Sequence, residues 1–462
     1  MLGKLLLSLC IAVLPATAQP GFCYAAYGTP GSSVHCPATG SPTVQTYIAN
    51  VNTFLNATWP GIFAMPTRPI PSDLQMVGMS ANWIENCPTT GTCVYNSASV
   101  QEAFTTNIVE ASGATGVVWN VDYMPWMLSS AYTTATGNSC AATYTTATCT
   151  RLQNNLTFYR TMLSFWHAQG LTIRLAPISF GVPGGGSPWL ICGLNPATMT
   201  VTQRLACEEP YLAAMVADTH AQAVSLNTVI VAHEPTEGDA ASTGQTLSTS
   251  DWNTLVAGLC GAVHGATGGS GVLCSAGYTM ADGAYVTATL ASVPSGMQVF
   301  GNEIYFRSPD SSPSWSNQPA VYSGWAASAI AAGLTVQVDE SGPPGYCPNG
   351  SGTACQSELI NGCGWPSLET YGVMQSFWKW LFRYSAGIGA TRTTLFYDQP
   401  FALLQTGSCG DNTPTTSYTW QMLSAMPARP TVIGDSWKAS GAWGNVQIGP
   451  GVTFGGGKVH VQ

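Results

Sequence analysis

Short apolar runs alternate along this chain with longer stretches whose apolar residues return every three or four positions. The runs are Leu74–Met79, Thr115–Val121, Leu171–Pro177, Thr228–Glu234, Gly271–Ser275, Gln298–Tyr305, Leu334–Glu340 and Thr391–Asp398. Most are rich in Val, Ile or Leu and end in a polar or aromatic cluster followed by Gly or Pro. Buried parallel strands have this pattern. Helical periodicity fills the gaps over Ser97–Ala114, Thr150–Ala168, Thr200–Leu226, Ser248–Ala266, Tyr285–Ser292, Ala320–Ala332, Ser367–Ser385 and Thr416–Ala425. Ser248-Thr-Ser250 is a good N-cap signal. Gly333 suits the position that closes a helix.

Eight strand–helix units predict an α/β fold, a (β/α)8 TIM barrel. The long segments Met124–Cys149, Ser179–Met199, Thr236–Leu247, Arg307–Gln318, Ser341–Ser367 and Gln399–Thr415 each follow a strand's C-terminal end. That is the end at which such barrels build active sites. A doubly wound open sheet is the rival, but it calls for a Gly-rich turn after its first strand, and Ser80-Ala-Asn-Trp83 is not one. The expected organisation is a signal peptide over 1–18, an N-terminal extension over 19–72 that packs on the barrel, the barrel over 73–426, and a small β-rich tail over 427–462.

Composition narrows the class. Of 462 residues 45% are hydrophobic and 8% charged, with a net charge of −9. Disorder is excluded by the hydrophobic content. Thirteen Lys and Arg provide no footprint for nucleic acid and little attraction to an anionic membrane. Lys4, the apolar run Leu5–Leu14 and Ala16-Thr17-Ala18 read as a signal peptide, too short to span a bilayer. An exported, soluble and monomeric protein is expected. Of fifteen Cys, fourteen lie beyond that segment, an even number that suggests disulfides. Connectivity is not fixed by sequence. Pairing neighbours in order (Cys23–Cys36, Cys87–Cys93, Cys140–Cys149, Cys192–Cys207, Cys260–Cys274, Cys347–Cys355) would close short loops, and Cys363–Cys409 a longer one. Asn56, Asn155 and Asn349 open glycosylation sequons.

Acidic residues are few, so their positions are informative. Glu234 closes the fourth run and Glu340 the seventh. A carboxyl ending an apolar strand is desolvated at the barrel mouth, which raises its pKa. Two such groups facing each other can divide the roles of proton donor and nucleophile, as glycosidic cleavage requires. Strand alternation allows only one of Asp339 and Glu340 to point inward. Glu237 is the local alternative to Glu234. Glu303 shares parity with Tyr305 and is a candidate for binding a sugar hydroxyl. Trp83, Trp126, Trp189, Trp315 and Trp365 fall in mouth loops, where an indole face can stack on a sugar ring. The histidines show no i,i+4 or His-x-His spacing, so no metal site is expected, and no cofactor. There is no Gly-x-Ser-x-Gly elbow and no phosphate-binding loop.

These residues give the chain a likeness. With His233-Glu234-Pro235 after the fourth run and Asp339-Glu340-Ser341-Gly342 at the seventh, it resembles the retaining glycoside hydrolases of clan A, which share the (β/α)8 barrel. The resemblance implies that Glu234 is the acid/base and Glu340 the nucleophile, and that Tyr305 hydrogen-bonds the nucleophile. It also implies that His233, in place of the clan's usual Asn, meets the sugar 2-hydroxyl, and that Asp122, Trp119, Asn120 and Arg174 shape the subsite beside the cleaved bond. The function expected from it is a secreted glycosidase; the long loops and many aromatic residues favour a poly- or oligosaccharide substrate and endo rather than exo action. A non-catalytic carbohydrate-binding barrel and another exported hydrolase or lyase stand as alternatives.

Overall fold

The computed structural model describes residues 42–63, 65, 69–76, 98, 102, 105–122, 124–178, 194–306, 315–342, 371–395, 402–403, 429–430, 436–437, 440, 453–455 and 458–460. Eight strands close into an all-parallel barrel in sequence order: β1 Ser72–Met76, β2 Gly116–Asp122, β3 Thr172–Ile178, β4 Thr228–His233, β5 Leu273–Tyr278, β6 Val299–Ile304, β7 Thr335–Ser341 and β8 Thr393–Leu395. β1 pairs with both β2 and β8, so the ring has no free edge. The predicted (β/α)8 barrel is therefore the observed fold, and the rival open sheet is not.

The helices follow the predicted rhythm: α1 Pro42–Phe63 ahead of the barrel, then α2 Ser130–Thr136, α3 Cys140–Thr143, α4 Thr146–Ala168, α5 Val201–Ala221, α6 Gly238–Thr243, α7 Thr249–Gly265, α8 Gly283–Ala291, α9 Gln318–Ala331 and α10 Tyr371–Gly387. Their starts are written locally. The Ser248 hydroxyl accepts from Asp251 N at the head of α7. Thr200 and Gln203 cap α5 reciprocally. Three expectations change. The segment 124–149 is no open loop, since it folds into a 3₁₀ turn, α2 and α3. The described end of the first expected helix, 105–112, is a π turn followed by a 3₁₀ turn. The fifth strand starts two residues later than its apolar run and extends to Tyr278. The expected helix Thr416–Ala425 lies outside the described residues. In the tail, Thr453–Gly455 pairs antiparallel with Lys458–His460.

The main apolar core fills the space between sheet and helices, and a small second one (Val118, Ala176, Ile230) fills the barrel itself. α1 lies against α10, where Phe54 meets Phe306 and Trp380 at 4.9 Å each. Disulfides join Cys140 to Cys149 and Cys260 to Cys274. Cys207 is also disulfide-bonded. Asn155 is buried, so its sequon is inaccessible in the folded chain, whereas Asn56 is exposed. No helix among the described residues is long and apolar enough to cross a membrane.

Two strands carry an extra residue. In β7, Val338 pairs with Asn302 and Glu340 with Glu303, leaving Asp339 as a bulge. In β4 the pairing with β5 skips Val231. Simple alternation therefore fails at the site. Asp339 bonds Arg174 and Ser275, and Glu340 bonds Gln75 and Tyr305. Both acids point inward, against the expectation that only one could.

Candidate active site

The barrel interior is stacked in charged layers. The lower layer is an ion cluster. Arg174 donates to Asp73 (2.9 Å), to Gln337 (2.7 Å), to Asp339 (2.6 Å) and to Thr394. Arg392 forks onto the two oxygens of Asp73 at 2.8 and 2.6 Å. Arg174, Asp73 and Asp339 are fully buried. Two cations here answer two anions, which is the condition for keeping charge out of water. Arg174 thus lies inside the barrel as expected, but its donors are committed to this cluster.

The upper layer has no such balance. At the mouth, β7 presents Glu340. Its Oε1 accepts from Gln75 Nε2 (3.0 Å) and its Oε2 from the Tyr305 hydroxyl (2.8 Å). Gln75 also donates to Asn120 Oδ1 at 2.6 Å, which ties β1 and β2 to the same carboxylate. Burial pushes the Glu340 carboxyl well above the usual range, the charge of Glu234 adds to this, and the two donors offset part of it. Tyr305, just past β6, has its phenol raised well above normal, first by burial and then by Glu340.

Glu234 follows the last residue of β4 and has φ +48°, a left-handed backbone in a non-glycine residue. Several bonds hold this strained turn. Its N–H donates to Gly277 O, and its carbonyl accepts from the N–H groups of Glu237 and Asp239 at 3.0 Å each. Asp239 is forked by Arg204 at 2.9 Å, and Thr236 is anchored by N–H and hydroxyl on Asp282. A Cβ on Gly238 would come within 2.7 Å of Glu234 Oε2, so glycine at this position leaves the carboxyl its space. Burial raises the Glu234 carboxyl, opposed by His233 beside it.

Glu303 of β6 lies in the same mouth, fully buried. Its Oε1 is 3.8 Å from His233 Nδ1. A Cβ on Gly277 would sit 1.9 Å from Oε1, so the missing side chain on β5 is what admits Glu303. Burial, then Glu234 and Glu340, push its carboxyl well above the usual range. One ligand atom each from His233, Glu303 and Glu340 lie within 4.8 Å of one another, a set able to hold a divalent ion. No spacing in the sequence signals it, because its members come from three strands.

The remaining candidates separate. Asn120 faces the interior. Trp119 faces outward, edge-on to Tyr159 (4.8 Å) and Trp166 (4.9 Å) on α4, so it is core and not subsite. The cause is alternation along β2, which turns Asn120 in and Trp119 out. Trp126 is fully buried and stacked on Tyr159, which leaves no face for a sugar. Glu237 is exposed on the rim. Trp83, Trp189 and Trp365, and the side chain of Trp315, lie outside the described residues. Gln75 is the residue the sequence reading missed. Its signal was present in Asp73-Leu-Gln-Met76, where polar and apolar positions alternate.

Asp122 accepts from Met124 N at 2.8 Å, and no hydrogen bond joins it to Glu234 or Glu340 among the described residues. Burial raises its carboxyl to about 7 from 3.8. Below pH 3.8 folded and unfolded chains both hold the proton. Between there and pH 7 the unfolded chain releases it while the folded one keeps it, so stability falls as pH rises. The full cost, about 4 kcal/mol at ~1.36 kcal/mol per pKa unit, is reached above 7. Asp122→Asn is expected to raise the urea midpoint at pH 8 and to leave it unchanged at pH 4. Equal effects at both would refute the assignment.

No family model and no curated protein sequence matches the chain. Among solved structures it is similar to an exo-β-1,4-mannosidase from Opitutaceae bacterium strain TAV5, at 13% identity and a TM-score of 0.48, over 81% of this chain and 60% of that one. It is also similar to a hyperthermophilic β-glucosidase from Pyrococcus furiosus (10%, TM-score 0.47, 83% and 97%). A third is a modular endo-β-1,4-mannanase from Cellulomonas fimi (14%, TM-score 0.45, 85% and 74%).

Proposed function

We propose that the chain is a retaining glycoside hydrolase acting on a poly- or oligosaccharide, with Glu340 as nucleophile and Glu234 as acid and base. The observation that carries this reading is the Glu340 carboxylate. It is buried at the barrel mouth and held by Gln75 and Tyr305, and its electrostatic neighbour Glu234 stands at the end of β4. Two fixed donors orient a nucleophile and favour its ionised form against the effect of burial.

In the first step a Glu340 oxygen attacks the anomeric carbon while Glu234 gives its proton to the glycosidic oxygen. The carbon–oxygen bond breaks and a glycosyl ester forms on Glu340. In the second step the Glu234 carboxylate takes a proton from water, the water oxygen attacks the anomeric carbon, and the ester breaks. Both side chains return to their starting states. His233, half-buried beside Glu234, is proposed to meet the sugar 2-hydroxyl, and Asn120 to border the same subsite. Residues 1–18 are proposed as a cleaved export signal and 73–426 as the catalytic unit. The disulfides support export, since such bonds persist in oxidising compartments.

Screening on plant and microbial polysaccharides identifies the substrate, and proton NMR of the first product tests the mechanism. Retained anomeric configuration is expected, together with a mass increase on Glu340 after treatment with a 2-fluoro glycoside of that sugar. An inverted first product would overturn the double displacement.

A further inference from the structure

Glu303 lies on β6 and His233 ends β4, with β5 between them. The two side chains meet because β5 places Gly277 there, paired with His233 on one side and Gly301 on the other. A Cβ on Gly277 would stand 1.9 Å from Glu303 Oε1 and 3.3 Å from His233 Cβ. Across this gap Glu303 Oε1 is 3.8 Å from His233 Nδ1. A carboxylate oxygen of Glu340, on β7, completes a triangle with no side above 4.8 Å.

Two corners of the triangle have no partner. Both oxygens of Glu303 and Nδ1 of His233 are buried without a hydrogen bond among the described residues. Glu303 is 0% exposed, so water cannot make good the loss from the open side. Glu340 is held by Gln75 and Tyr305, which are neutral donors. One layer lower, Arg174 and Arg392 answer the charges of Asp73 and Asp339. A divalent cation between Glu303 and Glu340 gives the mouth the same balance, two charges against two.

We propose that His233, Glu303 and Glu340 bind one divalent ion of the zinc class at the barrel mouth. One imidazole nitrogen and two carboxylate oxygens suit zinc better than magnesium or calcium, which take oxygen donors. Donors about 2.0–2.2 Å from one ion lie about 3.4–4.2 Å apart, so the triangle closes by side-chain movements of less than about one ångström. Gln75 and Tyr305 bond the Glu340 carboxylate from outside the triangle and fix its direction, as outer partners of metal ligands do. The His233 side chain is 17% exposed, which leaves a way in from the mouth. Resting on the reading of Glu340 as nucleophile, the bound ion is an inhibitor. It engages the oxygen that must attack the anomeric carbon.

The full chain, stripped with EDTA and then freed of chelator, is titrated with zinc chloride by calorimetry. One ion per chain is expected in this site. Glu303→Gln and His233→Ala should each weaken it at least about 10-fold, and His167→Ala and His220→Ala, at exposed positions, should leave it unchanged. X-ray absorption at the zinc edge of the wild-type complex should show a single imidazole nitrogen and carboxylate oxygens at about 2.0–2.2 Å. No binding, binding that Glu303→Gln does not weaken, or a shell of sulfur or several imidazoles means an adventitious ion only and overturns the site. On the substrate found by screening, free zinc at about ten times its Kd should lower kcat/KM about 10-fold, and EDTA should restore it. Zinc that binds as expected and leaves turnover unchanged overturns the inhibition. If the wild-type chain cleaves no glycan while zinc binds as expected, the hydrolase reading fails and the metal site stands.

Discussion

Glu340→Gln is expected to lower kcat by at least about 10⁴-fold with no loss of thermal stability. The catalytic loss follows from the missing nucleophile, since an amide oxygen cannot form the ester. The preserved fold follows from the surroundings. Glu340 sits among Glu234, Glu303 and Asp339, so removing its charge relieves repulsion. The amide oxygen can keep the Tyr305 bond, and Gln75, whose own carbonyl oxygen has no partner, can turn to accept from the new amide. Turnover is measured on the substrate found by screening, and the thermal midpoint by calorimetry. Normal turnover in this variant would end the case for Glu340. Lost turnover with a collapsed midpoint would make the residue a structural one.

The largest stability effect is expected one layer lower. Arg174→Ala should cost about 3–5 kcal/mol, measured by urea unfolding, because it leaves Asp73 with Arg392 alone and Asp339 with no cation. Both acids are fully buried, so water cannot take the place of the lost guanidinium. Adding Asp339→Asn should recover part of the loss, since the second change removes the stranded charge. The single variant tests whether the cluster supports the barrel, and the pair tests whether the cost is electrostatic. A double variant no more stable than Arg174→Ala would place the cost in lost packing instead.

The eightfold alternation was legible because each strand carries its own apolar run and each helix its own period and cap, as Ser248 and Gly333 illustrate. The two strand-end acids were legible for a related reason, since a Glu that closes a strand-like run stands out in a chain with so few charges. What the sequence concealed was the direction of side chains near the bulges. Period-two reasoning admits one of Asp339 and Glu340, and the extra residue in β7 admits both. It also gave no sign that Gly277 is a gap for Glu303, because that requires knowing which strands are neighbours. Trp119 was misplaced although the rule was available. Its neighbours Val118 and Asn120 turn inward, and an indole between them belongs to the helix side.

The bulge in β7 has a further implication. Asp339 is the supernumerary residue, and Val338 and Glu340 already hold the register of a regular strand on either side of it. A lineage could therefore shed or acquire this position by a one-codon indel and still leave Glu340 facing the barrel mouth. Robustness and reactivity would then evolve along separate axes, from adjacent letters of the same strand.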